Sequence, residues 1–275
     1  MIFRFSYVII KNETKTKEVD DMSISAGRRR DEIMEMVRTK GSVRVADISK
    51  LYGVSEVTVR SDLEYLEAQG VLSRVHGGAV GTGKHYINMD MSERYMSNSA
   101  SKKELASKIA ALIDNNDTIM MNAGTTLTYV LHALRSKRNI SIVTNSIQNA
   151  VEASTYPGFN VILLGGEIDE KYQFTYGNDT LAQLDKYHAT KCILSVDGVH
   201  VRDGLTLYYS NESGIVRGMI AASDKVIVAA DGSKVGKNTF SRVADIEDTD
   251  VLVTSGAPAE ELERIREKGI EVYEA

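Results

Sequence analysis

From about residue 100 to the C-terminus, short β-branched apolar runs alternate with amphipathic stretches, and this alternation most constrains the fold. Strand-like runs fall at 118–121, 140–144, 160–164, 191–196, 225–230, 250–254 and 270–273. Helical spacing fills 101–113, 125–135, 146–152, 178–187, 212–222 and 259–268 between them. Strand and helix in strict turn predict an α/β domain: a mostly parallel sheet with helices on both faces. Ligands bind such sheets at the carboxyl ends of the strands, so the loops there are the first place to look for chemistry.

Those loops are rich in small and polar residues. Asn122-Ala123-Gly124-Thr125-Thr126 follows the first strand and runs straight into a helix. Small side chains let backbone amides approach a ligand, and the helix dipole with two hydroxyls favours an anion such as phosphate. Thr144-Asn145, Gly165-Gly166, Ser195-Val196-Asp197-Gly198, Asn211-Glu212 and Asp231-Gly232-Ser233-Lys234 end other strands or start helices. Asn145, Asp197 and Glu212 suit sugar hydroxyls, and Lys234 suits a phosphate. Each loop alone also fits an ordinary turn. Tyr208 and Tyr209 read equally as pocket wall and as packing.

The front of the chain has a different grammar. Ile33, Met36 and Val37 give a helix over 28–40, and Val45, Ile48 and Leu51 a second over 45–52, stopped by Gly53. Ser55 stands where an N-cap belongs, ahead of a third helix to about Gln69 with Val59, Leu63 and Leu66 as its buried stripe. Residues 71–78 alternate and end in glycines, which predicts a small hairpin. Together these elements describe a winged helix-turn-helix over 22–80. The start of its third helix enters a major groove, with Glu56, Thr58, Arg60 and Ser61 facing bases and Ser55 near phosphate. Arg74 and His76 on the wing, Arg44, and a cluster of Arg28, Arg29 and Arg30 ahead of the first helix complete the DNA-facing set.

The remaining features bound the possibilities. Residues 1–21 read as a disordered tail or a start-codon artefact, and 81–100 as a linker before an effector domain at 101–275. Residues 22–84 hold ten Lys/Arg against eight Asp/Glu, and 85–275 hold nineteen against twenty-six. A mildly basic front on an acidic body suits a module that touches a polyanion. One cysteine, Cys192, excludes an internal disulfide and points to a reducing cytoplasm. No apolar run approaches the roughly 18 residues of a membrane span, and the five histidines show no metal spacing with Cys192, so no membrane and no metal are expected.

Three blocks carry a resemblance. Gly41–Ile48, Val54–Leu63 and Arg74–Ala79, in sequence and spacing, resemble the DeoR/GlpR family of bacterial repressors, with AgaR-type regulators of amino-sugar operons nearest in appearance. The chain departs at Ser61, where many members carry a second arginine. From about 95 to 270 it resembles the family's sensor domain, which implies the fold shared by sugar-phosphate isomerases and coenzyme A transferases. The family's Asp-x-Gly-Thr-Thr loop corresponds to Asn122–Thr126, with asparagine for aspartate, and its Gly-Val-Asp-Gly to Ser195–Gly198, with serine for glycine. Its Asn-Glu pair is Asn211-Glu212, followed by Arg217, and its Asp-x-Ser-Lys is Asp231–Lys234.

The resemblance implies a phosphorylated sugar as effector, an amino-sugar phosphate among the candidates, and no cofactor. The expected function is a DNA-binding regulator of a carbohydrate operon, a homo-oligomer (dimer or tetramer) on repeated half-sites of duplex operator DNA. The alternative is a sugar-phosphate isomerase with an accessory DNA-binding module, using Asp197 or Glu212 with Lys234. Against it, Val199-His200 follow Asp197-Gly198, where isomerases of this fold carry a second acid.

Overall fold

A computed structural model describes residues 25–40, 42–69, 72–75, 77–81 and 91–275. The expectations for the 1–21 tail, for His76 and for residues 82–90 of the 81–100 linker lie outside these residues.

The front unit runs α1 (Ala26–Lys40), β1 (Ser42–Arg44), α2 (Val45–Tyr52), α3 (Glu56–Ala68), β2 (Leu72–Val75) and β3 (Gly78–Gly81). Ile33, Val37, Val45, Ile48, Val59, Leu63, Leu66 and Leu72 form one buried core, the stripes that helical spacing dictates, except that Leu51, expected on the α2 stripe, lies in the last turn of α2 and is 62% exposed. Gly53 ends α2 in the left-handed conformation (φ 64°), which costs glycine little. Ser55 caps α3: its Oγ accepts the Thr58 N–H at 3.1 Å.

Two features of this unit differ from the sequence reading. The wing is three-stranded, with order β1-β3-β2. Gly78–Gly81 is its middle strand, where the sequence suggested the hairpin's end and a linker. Glycine permits that placement because a Cβ on Gly78 would lie 2.1 Å from the Val43 carbonyl oxygen. Arg28, Arg29 and Arg30 lie inside the first turns of α1, because Ser25 starts the helix by accepting the Arg28 and Arg29 N–H groups.

Beyond residue 91 the chain runs α4 (Met91–Met96), α5 (Ser99–Ala111), β4 (Thr118–Met121), α6 (Thr125–Leu134), β5 (Ile140–Thr144), α7 (Ile147–Ser154) and β6 (Phe159–Leu163). The hairpin of β7 (Glu167–Asp169) and β8 (Phe174–Tyr176) follows, then α8 (Asn178–Leu184), β9 (Lys191–Ser195), β10 (Gly198–His200) and β11 (Gly204–Leu207). The last elements are α9 (Ser210–Ala221), β12 (Val226–Ala229), β13 (Ser241–Ala244), a short 3-10 turn, β14 (Val251–Thr254), α10 (Ala259–Arg266) and β15 (Glu271–Glu274).

Seven strands form a wholly parallel sheet in the order β15-β14-β12-β9-β4-β5-β6. Successive residues point to opposite faces: Met120, Cys192, Leu194 and Leu252 join one core, while Ile119, Met121, Ile193 and Val253 join the other. Both faces are covered, so the strands read as continuous apolar runs. Strand order reverses between β4 and β9, which opens a crevice at their carboxyl ends. The antiparallel sheet β10-β11-β13 and the β7–β8 hairpin were not legible, since their three- and four-residue strands are flanked by Gly and Asp pairs that signal turns. Residues 91–96, inside the predicted linker, form a helix.

Candidate functional site

The exposed start of α3 is the groove-facing surface. Arg60 is more than half exposed and pairs with Glu56 one turn away at 2.6 Å, so both lie on one outward face. Ser61 and Arg44 are exposed beside them, and the Thr58 hydroxyl sits 2.9 Å from the Ser55 Oγ. Val57, not foreseen, is 72% exposed at the same end. Its place off the 59, 63, 66 stripe was the available signal, and an apolar side chain there suits a thymine methyl. Arg74 on the wing is held against α3: its Nε lies 2.7 Å from a Glu67 carboxylate oxygen, and its N–H donates to the other oxygen at 2.8 Å.

The arginine cluster divides. Arg28 is exposed and pairs with Glu32. Arg29 is buried with its Nε 2.6 Å from Asp62, and Arg30 reaches the same carboxylate at 2.8 Å while stacking over Tyr65. Asp62 is 1% exposed, and a buried carboxylate requires such partners. Arg29 and Arg30 therefore fasten α1 to α3 and leave the DNA-facing set.

The second site is a narrow cleft at the strand-order reversal. Gly124, Thr125, Ser195, Asp197, Glu212 and Lys234 line it, with Arg94, Tyr172 and Tyr209 at its edge. Its floor is one hydrogen-bonded network. Asn122 accepts the Ser195 N–H at 2.8 Å and donates to the Ser195 carbonyl at 3.0 Å. Glu212 Oε1 accepts from the Ala123 N–H at 3.0 Å and from the side-chain amides of Asn122 and Asn145 at 3.2 and 3.5 Å. Burial pushes the Glu212 carboxyl up to about 7, against the pull of those donors.

One end of the cleft is cationic. Lys102 on α5 is 3% exposed, and its Nζ donates to Thr125 Oγ1 at 3.0 Å and to the Arg94 carbonyl. Burial pulls its ammonium down to about 7, with neighbouring Lys234 and Arg94 adding to the effect and Asp231 opposing it. Lys234, 8% exposed, lies 3.9 Å from Asp197, which also accepts the Tyr208 N–H at 3.0 Å. Gly124 is needed for close approach, because a Cβ there would lie 2.6 Å from the Ser195 Cβ.

The structure sorts the predicted effector residues. Gly124, Thr125, Asp197, Glu212 and Lys234 come together in the cleft. Asn122 and Asn145 are buried beneath it and hold Glu212. Thr126 is buried in α6, and Thr144 caps its own loop by accepting the Ser146 N–H. Gly165 and Gly166 belong elsewhere: they pack under α8, where Thr180 Oγ1 donates to the Gly165 carbonyl at 2.9 Å. Gly166 has φ 153° and no room for a Cβ against Thr180. Asn211 is exposed on the outer side of α9. Lys102 and Arg94 were missed, Arg94 because it fell in the expected 81–100 linker and Lys102 because a charge on the 101–113 helix was not counted among the effector residues. Lys102 was legible all the same, since it shares the buried stripe with Leu105, Ala106 and Ile109.

A winged helix with an exposed recognition surface, carried on a parallel α/β body with a cationic cleft, defines a DNA-binding regulator with a ligand-sensing domain. The chain belongs to the DeoR family: residues 29–83 match the DeoR-like helix-turn-helix domain and 97–256 the DeoR C terminal sensor domain. It is a sequence-specific transcriptional regulator of that family. An assigned aga operon transcriptional repressor of Escherichia coli O157:H7 is 30% identical over 89% of this chain and 92% of its own. The HTH-type transcriptional regulator YulB of Bacillus subtilis is 34% identical over 89% of this chain and 95% of its own. The glycerol-3-phosphate regulon repressor of Escherichia coli K12 is 29% identical over 84% and 91%. Ribose 5-phosphate isomerase from Methanocaldococcus jannaschii superposes on 51% of the chain and 56% of its own, with TM-score 0.38 and 16% identity.

Proposed function

We propose that the chain represses a carbohydrate-catabolism operon and that a phosphorylated sugar, bound in the cleft at the strand-order reversal, modulates its grip on operator DNA. The observation that carries the reading is the polarity of the cleft. At one end Lys102, Lys234 and Arg94 converge on the amide end of α6, a setting that favours a phosphate. Glu212, and Asp197 beside Lys234 at 3.9 Å, offer oxygen acceptors for sugar hydroxyls. No cofactor enters this reading, and the chain is not an enzyme: Glu212 Oε1 is already held by three donors and serves to bind.

On DNA, a homo-oligomer presents the α3 surfaces to repeated half-sites of a duplex operator. The proposed setting is the cytoplasm. Among the described residues no helix is long and apolar enough to cross a membrane. Calorimetry against a panel of sugar phosphates, joined to gel shifts on the DNA upstream of the neighbouring operon, tests the reading. A ligand that binds wild type, fails to bind Lys102→Met and changes operator affinity supports it. Turnover of any such phosphate, abolished in Asp197→Asn, replaces it with the isomerase.

A further inference from the structure

We propose that Arg94 binds the effector's anionic group from the connector helix α4, so that filling the cleft changes how the sensor holds the helix next to the DNA-binding unit. The inference rests on the sensor reading above and deepens it.

Helix α4 touches both parts of the molecule. On one side it packs against α1 of the winged helix; on the other it packs against α6, whose amide end forms the cationic end of the cleft. The sensor holds α4 through main-chain carbonyls. The Arg94 carbonyl accepts from Lys102 Nζ and, at 3.4 Å, from Thr125 Oγ1. The Tyr95 carbonyl accepts from the Tyr129 hydroxyl at 3.1 Å, and the two rings stack with centroids 4.7 Å apart.

The Arg94 side chain turns the other way, along the cleft wall. Its guanidinium lies 4.6 Å over the Tyr172 ring, which in turn packs on Tyr209 with centroids 4.2 Å apart. Arg94, Tyr172 and Tyr209 all line the cleft with Thr125 and Lys234. Stacking fixes the plane of the guanidinium, so engaging an anion that enters the cleft costs it little further ordering.

The same donors serve two acceptors. Lys102 Nζ and Thr125 Oγ1, which now hold the Arg94 carbonyl, are the donors an anion at the start of α6 requires. An anionic oxygen competes well for an ammonium against a neutral carbonyl. Entry of the anion therefore loosens the carbonyl contacts of α4 and adds a guanidinium contact, exchanging one mode of attachment for another. The filled and empty cleft then differ in what holds α4, which is the differential contact that coupling between two sites requires.

Inorganic phosphate and the full-length chain test this, with affinity by calorimetry and amide hydrogen exchange read over residues 91–98. Phosphate is expected to change exchange there in wild type. Arg94→Met is expected to weaken phosphate binding about tenfold or more, the scale of one charge-assisted hydrogen bond. At saturating phosphate it should also abolish the exchange response, while Arg94→Lys falls between. Melting without ligand checks that the variants fold, and Arg94→Gln replaces Arg94→Met if the latter does not. Undiminished phosphate affinity in the variant, or an exchange response equal to wild type, overturns the role of Arg94. Failure of wild type to bind phosphate overturns the anion site beneath it.

Discussion

Asn122 clasps Ser195 across the centre of the sheet, accepting its N–H at 2.8 Å and donating to its carbonyl at 3.0 Å. Asn122 directly follows β4 and Ser195 ends the neighbouring β9, where the strand order reverses. A crevice between diverging strand ends leaves main-chain groups without a ladder partner. One primary amide satisfies both groups of Ser195 and still donates to Glu212. The cleft floor is thus set before any ligand arrives.

Asn122→Asp tests that clasp. A carboxylate accepts the Ser195 N–H but cannot donate to its carbonyl, and it sets a second negative charge beside buried Glu212. Like charges raise both carboxyl pKa values, so the folded state binds protons that the unfolded state does not, and stability falls as pH rises. A loss of about 1–3 kcal/mol is expected at pH 8 and a smaller one at pH 5. Denaturant melts at the two pH values measure it, and an equal loss at both contradicts the account.

Lys102 predicts a proton linkage. Its ammonium titrates near 7 when folded and near its ordinary 10.5 when unfolded. Between those values the unfolded chain binds more protons, so this group makes the ligand-free protein more stable as pH rises from about 7 to about 10. Lys102→Met is expected to flatten that rise. An anion restores the charged form, so phosphate binding near pH 7.5 should take up protons. Calorimetry in two buffers of different ionisation enthalpy reads the uptake directly.

Gly124→Ala should close the anion site without unfolding the domain. The added methyl meets the Ser195 side chain at 2.6 Å, and the loop must withdraw. Phosphate affinity is expected to fall by more than tenfold, with little change in operator affinity measured without ligand. A normal phosphate isotherm for the variant contradicts this.

On the DNA side, two arginines of similar appearance should behave oppositely. Arg60→Ala is expected to cost about 1–3 kcal/mol of specific binding while leaving the melting temperature near wild type. Arg29→Ala removes a partner of the buried Asp62 carboxylate and should cost about 3–5 kcal/mol of stability in the winged helix. At temperatures where that unit remains folded, its operator affinity should be nearly unchanged. Gel shifts and thermal melts on both variants separate the two roles.

Where side-chain periodicity is enforced by burial on both faces, the structure was legible in the sequence. The seven parallel strands, the three helices of the front unit and the Ser55 cap all follow from apolar spacing and from what a helix end needs. Spacing also marked Lys102 as buried, although its charge concealed the meaning. Short antiparallel strands such as Gly198–His200 had no such signal: three residues are too few to show an alternation, and Gly204–Leu207, which pairs with them, finds its other partner in Ser241–Ala244, far along the chain.

By itself, then, the sequence determined the α/β architecture, the winged helix and the polar loops at the strand ends, since local periodicity and turn chemistry suffice for these. Only the tertiary structure decided which polar residues share a site. Gly165 and Gly166 resembled the other rim loops yet pack under α8, and Arg29 resembled Arg60 yet turns inward to Asp62. Conversely, Arg94 and Lys102 join Thr125 and Lys234 only because α4 and α5 pack against the start of α6. Charge and hydrogen bonding act over a few ångströms in space, and a linear chain carries no record of which of its distant residues will come that close.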